Sequence, residues 1–220
     1  MAPVPVAPYW VGTRPSRMPG ARWSIGNWTV WSVMLLLAIG VAGYALSGVL
    51  RGIEVGIPAM AYHLPERAVF AAMHFGIGGV ALAVGPFQFV PAVRARMPVL
   101  HRWLGRIYVA ACLLSGGAGF VLASNTSAGP IARTGFSLLA IFWILTTGMA
   151  FARARQRNFA EHKRWMIRSF ALTLAAVTLR IYLPVSAIFL KIEFVVAYPV
   201  IAFACWVPNV IVAEWLVRKR

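Results

Sequence analysis

The chain has 220 residues, of which 60% are hydrophobic and only 12% are charged, and its mean hydropathy is +0.76. A soluble domain has about 45–50% apolar and about 25% charged residues, so this composition excludes an ordinary soluble protein and indicates a membrane protein. The formal net charge of +16 would also suit nucleic-acid binding, but the positions of the basic residues argue against a nucleic-acid partner.

The first segment of the chain, residues 1–27, is rich in proline and contains Tyr9 and Trp10. Proline-rich sequence of this kind favours an extended arm that has no packed core. Alternatively, the aromatic residues dock the arm on a larger membrane complex. The sequence predicts a cytoplasmic arm and leaves both interpretations open.

Six apolar segments follow, and each is long enough to cross a bilayer as a helix, which takes about 20 residues. They are residues 28–50, 68–93, 107–123, 134–152, 166–190 and 194–217, and a basic terminus, 218–220, follows them. The sequence therefore predicts an all-α membrane protein in which residues 28–217 form six transmembrane helices.

The basic residues are concentrated in the arm, in the second and fourth loops and at the C-terminus. The remaining loops hold only Arg51, Arg67, Arg133 and Lys191. Cytoplasmic loops carry an excess of Lys and Arg, so both termini are predicted to be cytoplasmic, in a bacterial inner membrane. The same charges suit anionic lipid headgroups at the cytoplasmic face.

The second and fourth loops share a motif. Residues 94–106 read RARMPVLHRWLGR and residues 153–168 read RARQRNFAEHKRWMIR. The repeat predicts two parallel helical hairpins, spans two and three and spans four and five, related by an axis along the membrane normal. His101 and His162 would then lie at equal depth, in loops where a helix starts. Anchoring at the membrane interface is the alternative explanation for the tryptophans and arginines of the motif.

Two residues within the spans predict an outer polar pocket. An arginine inside a span costs roughly 2.5–3.5 kcal/mol on insertion scales, so Arg180 should face the protein and have a partner. No acidic residue lies in its segment, so a bound anion, a backbone carbonyl or a ligand carboxylate must serve. His74 lies at a similar depth in the second segment. Small and polar residues recur every three or four positions in both segments, which is typical of helix–helix contacts.

The residue types that the chain contains exclude several catalytic mechanisms. The chain has no aspartate, and its five glutamates lie in loops or near the end of the last segment, so it offers no carboxylate pair for hydrolysis or proton relay. No zinc-protease, nucleophile-elbow or phosphate-loop motif is present. Cys112 and Cys205 are predicted to be small core residues. His63 is predicted to lie in a solvated outer loop.

Residues 74–106 resemble the core of the cytochrome b561 superfamily, in which an H-x-x-x-G helix with a glutamine precedes an arginine and an H-x-x-x-G-R helix start. The matching residues are His74, Gly78, Gln88, Arg94, His101, Gly105 and Arg106. The resemblance implies haem b between helices, with histidines on the iron and arginines on the propionates. His101 and His162 are then the candidate ligands, and Arg106 and Arg168 the candidate propionate-binding residues. The superfamily pattern has four ligand histidines, whereas this chain supplies at most one matched pair.

Residues 70–185 resemble a bacterial family of predicted membrane proteins, domain of unknown function 2306, through HRWLGRIY and EHKRWMIRSFALTLAAVTLR. The resemblance implies a multi-pass inner-membrane protein and assigns no catalytic residue, so whether the chain is an enzyme stays open. Three functions remain: a haem-b or quinone-linked electron-transfer module, a non-catalytic accessory or assembly subunit of a larger membrane complex, and a small transporter or lipid-binding protein in which Arg180 holds an anionic group.

Overall fold

A computed structural model of the protein describes residues 24–219, apart from the side chains of residues 59, 61, 62, 64 and 65. This part of the chain is helical and contains no strand. Its six helices that are long and apolar enough to cross a membrane, called here the first to sixth spans, are Ile25–Leu50, Glu66–Phe89, Pro98–Ser124, Gly129–Arg155, Phe159–Phe189 and Phe194–Arg218. The predicted all-α fold with six spans is confirmed. The predicted arm, residues 1–27, lies outside the described residues except for its last four.

The third and fifth spans begin well before the apolar segments do. The third span begins at Pro98, and the fifth begins at Phe159, after Asn158, whose side chain accepts a hydrogen bond from the Glu161 amide. The repeated motif was predicted to lie in loops, but it lies largely within helices. Hydropathy marks only the apolar part of a helix, whereas a capped helix can continue into the interface, where long basic side chains reach water.

The second span is not one regular helix. It combines two α-helices with a π-helical turn and a final 3-10 turn: Leu64–Ala72, Met73–Ile77, Gly78–Val84 and Gly85–Phe89. A π-helical turn widens a helix locally and is frequent at functional sites. Here this turn carries His74. At the other end of the span, the Trp31 indole donates a 3.0 Å hydrogen bond to the Pro86 carbonyl and so ties the irregular turn to the first span.

The spans pack largely in chain order, because short connections keep consecutive helices adjacent. The third span packs along the fourth, and the fourth along the first part of the fifth, while the sixth span returns to contact both the fourth and the fifth. Small residues allow close approach between these helices. A Cβ atom on Gly135, for example, would lie 3.0 Å from the backbone of Ala202 in the sixth span. The result is a tight bundle in which polar side chains of the second, third and fifth spans meet.

Candidate functional site

A cavity of about 180 Å³ lies within the bundle. Aromatic side chains of several spans line it, among them Phe75, Phe136, Trp143 and Tyr198. An engineered apolar cavity of about 150 Å³ in another protein binds benzene. The cavity is therefore large enough for a molecule of the size of a single ring.

Arg180 lines this cavity and brings a positive charge to it. Its Nη1 donates a 3.0 Å hydrogen bond to the Ala176 carbonyl, and its guanidinium lies 5.2 Å from the centre of the Tyr44 ring. Its Nε is buried and has no hydrogen-bond partner among the described residues. No glutamate lines the cavity in the described part of the chain. Arg180 therefore faces the protein interior beside His74, with a carbonyl as partner, and no acid compensates its charge in the cavity.

The His74 imidazole lines the same cavity, where the third span holds it in place. Its Nδ1 lies 3.0 Å from the Ser115 carbonyl oxygen, and the Ser115 hydroxyl donates a 2.9 Å bond to the His74 carbonyl. A Cβ atom on Gly119 would lie only 2.7 Å from this Nδ1, so the ring packs directly on the helix backbone. The contacts with Ser115 and Gly119 fix the position of the imidazole.

His63 also lines the cavity, which corrects the prediction of a solvated loop. Its side chain is only 1% exposed, because the 3-10 helix Pro58–His63 folds back onto the bundle. Burial, and secondarily the positive charge of Arg67, lower the pKa of His63 below its ordinary value of 6.5. Burial and the charge of Arg67 therefore disfavour the charged form of this imidazole. The sequence did contain a signal for this burial, since most residues between Ile53 and Leu64 are apolar.

A network of buried hydroxyl groups joins the third, fourth and fifth spans, and it reaches the cavity at Thr173 and Trp143. The Thr173 hydroxyl accepts a 2.9 Å hydrogen bond from the Trp143 indole and lies 2.7 Å from the Tyr108 hydroxyl. Tyr108 is in turn 3.0 Å from the Ser169 hydroxyl, which is 2.6 Å from that of Thr147. Because Thr173 itself donates to the Ser169 carbonyl, Tyr108 must donate to Thr173.

The network also sets the register of the two helices that carry the repeated motif. Tyr108 lies seven residues after His101, and Ser169 lies seven residues after His162. Since Tyr108 and Ser169 are hydrogen-bonded, the two histidines lie at similar depth, and they are close enough to interact electrostatically. His162 Nδ1 is 2.8 Å from the Ala150 carbonyl, whereas His101 Nδ1 is buried and has no hydrogen-bond partner among the described residues.

The arginines of the motif already have partners. Arg106 lies 4.9 Å from the centre of the Trp103 ring, and Arg168 lies 4.7 Å from that of Trp165, so both copies form the same cation–π pair. Arg168 also donates two hydrogen bonds to Glu214 of the sixth span, one of them 3.0 Å long. The propionate-binding role of Arg106 and Arg168 stays a prediction, and for Arg168 it would compete with this ion pair.

The site residues thus form two groups. One group, called here the outer group because it lies farther from the two basic motifs, consists of His74 and Arg180 at the cavity, and the structure adds His63 and Ser115 to it. The inner group, His101 and His162 with Arg106 and Arg168 nearby, lies toward the end of the bundle that carries the two basic motifs, called here the basic end. The sequence could not identify Ser115 as the partner of His74, because that contact depends on how the second and third spans pack.

The chain belongs to the DUF2306 family of predicted membrane proteins, whose sequence profile matches residues 71–217. The match extends from the second to the sixth span and so includes both groups of site residues apart from His63. No curated protein and no solved structure matches the chain significantly. The family's description gives a membrane protein and no activity, and the local similarity to the cytochrome b561 superfamily stays a resemblance.

Proposed function

We propose that this integral membrane protein binds a lipid-soluble molecule with an oxygen-bearing head in the cavity, and that Arg180 holds that head. The observation that carries the proposal is the environment of the Arg180 side chain. It is a cation inside a span, it lines an apolar cavity, its buried Nε has no hydrogen-bond partner among the described residues, and no glutamate faces it there. A ligand oxygen would supply the missing partner.

The energies support this assignment. An arginine inside a span costs roughly 2.5–3.5 kcal/mol on insertion scales. A hydrogen bond that involves a charged group contributes about 1.5–3 kcal/mol. The bond from Arg180 to the Ala176 carbonyl therefore offsets only part of the cost, and one more bond from Nε to a ligand oxygen would offset most of the remainder.

The proposal includes an orientation in the membrane. The excess of Lys and Arg at the basic end supports a cytoplasmic location for that end and for both termini, in a bacterial inner membrane. The cavity, which lies beyond the hydroxyl network as seen from the basic end, is then in the outer half of the bilayer. A lipid-soluble ligand, such as a quinone or a lipid, would reach it from the membrane. The accessory-subunit hypothesis rests on the N-terminal arm, most of which lies outside the described residues, and on the interfacial tryptophans and arginines as contact surfaces, and it stays a hypothesis.

Binding of decylubiquinone to the purified protein in lipid nanodiscs tests the proposed function. Its carbonyl oxygens can accept hydrogen bonds from Arg180, and its ring suits the apolar cavity, while its tail would extend toward the membrane. Loss of one charge-assisted hydrogen bond costs about 1.5–3 kcal/mol, so Arg180→Leu should weaken binding by at least about tenfold. Isothermal titration calorimetry measures the effect.

Two further variants serve as controls for this experiment. Arg180→Lys, which keeps the charge but not the planar donors, should retain part of the affinity. Arg102→Leu removes an exposed arginine of the third span that does not line the cavity, so it should bind like the wild type. Wild-type affinity in Arg180→Leu, or a wild-type protein that does not bind the quinone, would overturn the proposed function.

A second candidate function is electron transfer through haem b, held by His101 and His162. His101 Nδ1 and Gln88 Nε2 are both buried without hydrogen-bond partners in the described part of the chain. Gln88 lies against Gly105, one turn beyond His101, so unsatisfied polar atoms are concentrated near the inner histidines. The Ala150 carbonyl orients His162 and leaves its Nε2 available, as is usual for a metal-bound imidazole. When bound, haem b supplies one-electron transfer.

An absorption spectrum of the purified protein tests this second candidate. We expect a Soret band that His101→Ala and His162→Ala each remove, because a bis-imidazole haem needs both ligands. His63→Gln, a change at the opposite end of the bundle, should leave the band unchanged. A wild-type protein that stays colourless after incubation with haemin would show that the two imidazoles do not form a haem site.

A further inference from the structure

We infer that His74 accepts a proton from the ligand, so that the cavity takes a ring compound with an acidic hydroxyl, a phenol or a hydroquinone. The ligand hydroxyl would face His74 Nε2, and Arg180 would hold the same oxygen once its proton has left. This inference rests on the proposed function and specifies the chemical class of its ligand.

The hydrogen bonds of His74 determine which ring nitrogen can accept a proton. A carbonyl oxygen only accepts, so the 3.0 Å contact between Nδ1 and the Ser115 carbonyl requires the hydrogen to be on Nδ1. The Ser115 hydroxyl, 3.3 Å from Nδ1, already donates to the His74 carbonyl and cannot reverse this assignment. In the neutral ring, Nε2 therefore carries a lone pair and acts as an acceptor.

The charges around His74 favour a ligand that brings its own proton. Among the described residues, the titratable or charged groups that line the cavity with it are His63, Arg180, Tyr198 and Cys205, and none of them is a carboxylate. Arg180 is near enough to interact electrostatically with the imidazole. A positive neighbour opposes an isolated imidazolium, but a proton that arrives from the ligand leaves an anion behind, and the net charge of the cavity does not change.

These requirements separate the ligand classes. A carboxylic acid is ionised at neutral pH, so it would bring no proton and would place acceptor oxygens against the acceptor Nε2. A carbonyl would satisfy Arg180 but offer nothing to His74. A ring hydroxyl satisfies both groups, because its hydrogen meets Nε2 and its oxygen meets the guanidinium. The volume of about 180 Å³ suits one ring, and the aromatic walls, including Phe136 and Trp143, suit its faces.

The proton transfer itself is balanced without any further reactant. The O–H bond of the ligand breaks heterolytically, and the proton moves to His74 Nε2. The electron pair stays on the ligand oxygen as a phenolate, which Arg180 stabilises by a charge-assisted hydrogen bond. Ser115 and the bond at Nδ1 keep the imidazolium in place. No electron is transferred in this step.

A chromophoric phenol tests the inference directly. The probe is ortho-octyl-para-nitrophenol, whose ionised form is yellow, and the control ligand is its methyl ether, which has no proton to donate. In the wild-type protein we expect the bound phenol to ionise at least about one pKa unit lower than in empty nanodiscs, which is about a tenfold change in the ionised fraction. The phenol should also bind about tenfold more tightly than the ether.

The matched protein variant is His74→Asn, whose amide nitrogen occupies nearly the position of Nδ1 and can still donate to the Ser115 carbonyl but cannot take up a proton. It should lose the shift in ionisation and the preference for the phenol, whereas Arg102→Leu, a change outside the cavity, should keep both. If the wild type binds phenol and ether equally and the bound phenol stays neutral, the inference is wrong, although Arg180-dependent quinone binding would still support the proposed function. If the wild type binds none of these compounds, both proposals are wrong.

Discussion

Thr173→Val is expected to lower the free energy of unfolding by about 1–3 kcal/mol, the cost of leaving buried polar groups unsatisfied. Thr173 accepts hydrogen bonds from the Trp143 indole and the Tyr108 hydroxyl, at 2.9 and 2.7 Å, and these groups are buried. Valine has nearly the same shape but offers no acceptor. Thr173→Ser keeps the hydroxyl and loses only a methyl group, so it should retain most of the stability.

Reversible unfolding in mixed micelles, followed by the near-ultraviolet circular dichroism of the aromatic side chains, measures this difference. Thr146→Val is the matched control, because Thr146 lies on the fourth span beside Thr147 but bonds only to backbone carbonyls of its own helix. It should change the stability by only about a few tenths of a kcal/mol, because among the described residues the Thr146 hydroxyl has no partner on another span. Equal losses in Thr173→Val and Thr146→Val would show that the buried network does not hold the third, fourth and fifth spans together.

The six spans could be predicted from the sequence because a bilayer imposes a length of about 20 apolar residues on any helix that crosses it. The starts of the third and fifth spans could not. These helices begin at Pro98 and at Phe159, which follows the capping residue Asn158, in sequence rich in basic residues, where hydropathy gives no signal. The irregular turns in the second span were also missed, since the π-helical turn at His74 leaves the apolar pattern unchanged.

The candidate site could be predicted in part. Arg180 and His74 stood out because a cation and an imidazole are costly in a span, and the structure places both at one cavity. The prediction for His63 was wrong, because hydropathy windows of span length overlook a short apolar loop that folds back on the bundle. The partners of these residues, the Ser115 carbonyl and the Ala176 carbonyl, belong to the backbone. Residue types carry no information about such contacts, so only the packed structure shows them.

The arrangement of the two groups of site residues follows from one set of contacts. Thr173 both lines the cavity and belongs to the hydroxyl network, and Thr147, at the other end of the network, lies three residues before Ala150, the partner of His162. The network therefore fixes the position of the outer cavity relative to that of the inner histidines. A substitution in the network should lower the stability of the protein. It should change ligand binding only if it shifts the fifth span, which carries Arg180.

Gly119→Ala is expected to impair the cavity without unfolding the protein. The added Cβ would lie 2.7 Å from His74 Nδ1 and 2.9 Å from Cε1, closer than real Cβ atoms approach other heavy atoms. The imidazole must move, and since Nδ1 is bonded to the Ser115 carbonyl, any movement weakens that bond. The bond is worth about 0.5–1.5 kcal/mol, and the gain from replacing glycine by alanine within a helix is about 1 kcal/mol. The net stability should therefore stay close to that of the wild type.

The effect on ligand binding should be larger, because the displaced ring no longer presents Nε2 to a hydroxyl beside Arg180. We expect Gly119→Ala to lose most of the roughly tenfold preference for the nitrophenol over its methyl ether, one pKa unit being about a factor of ten. Gly117→Ala is the matched control, since a Cβ atom on Gly117 would meet nothing within 4 Å. Both variants add the same methyl group to the third span, so the difference between them isolates the contact with His74. A Gly119→Ala protein that kept the wild-type preference would mean that the imidazole does not need its present position to bind the ligand.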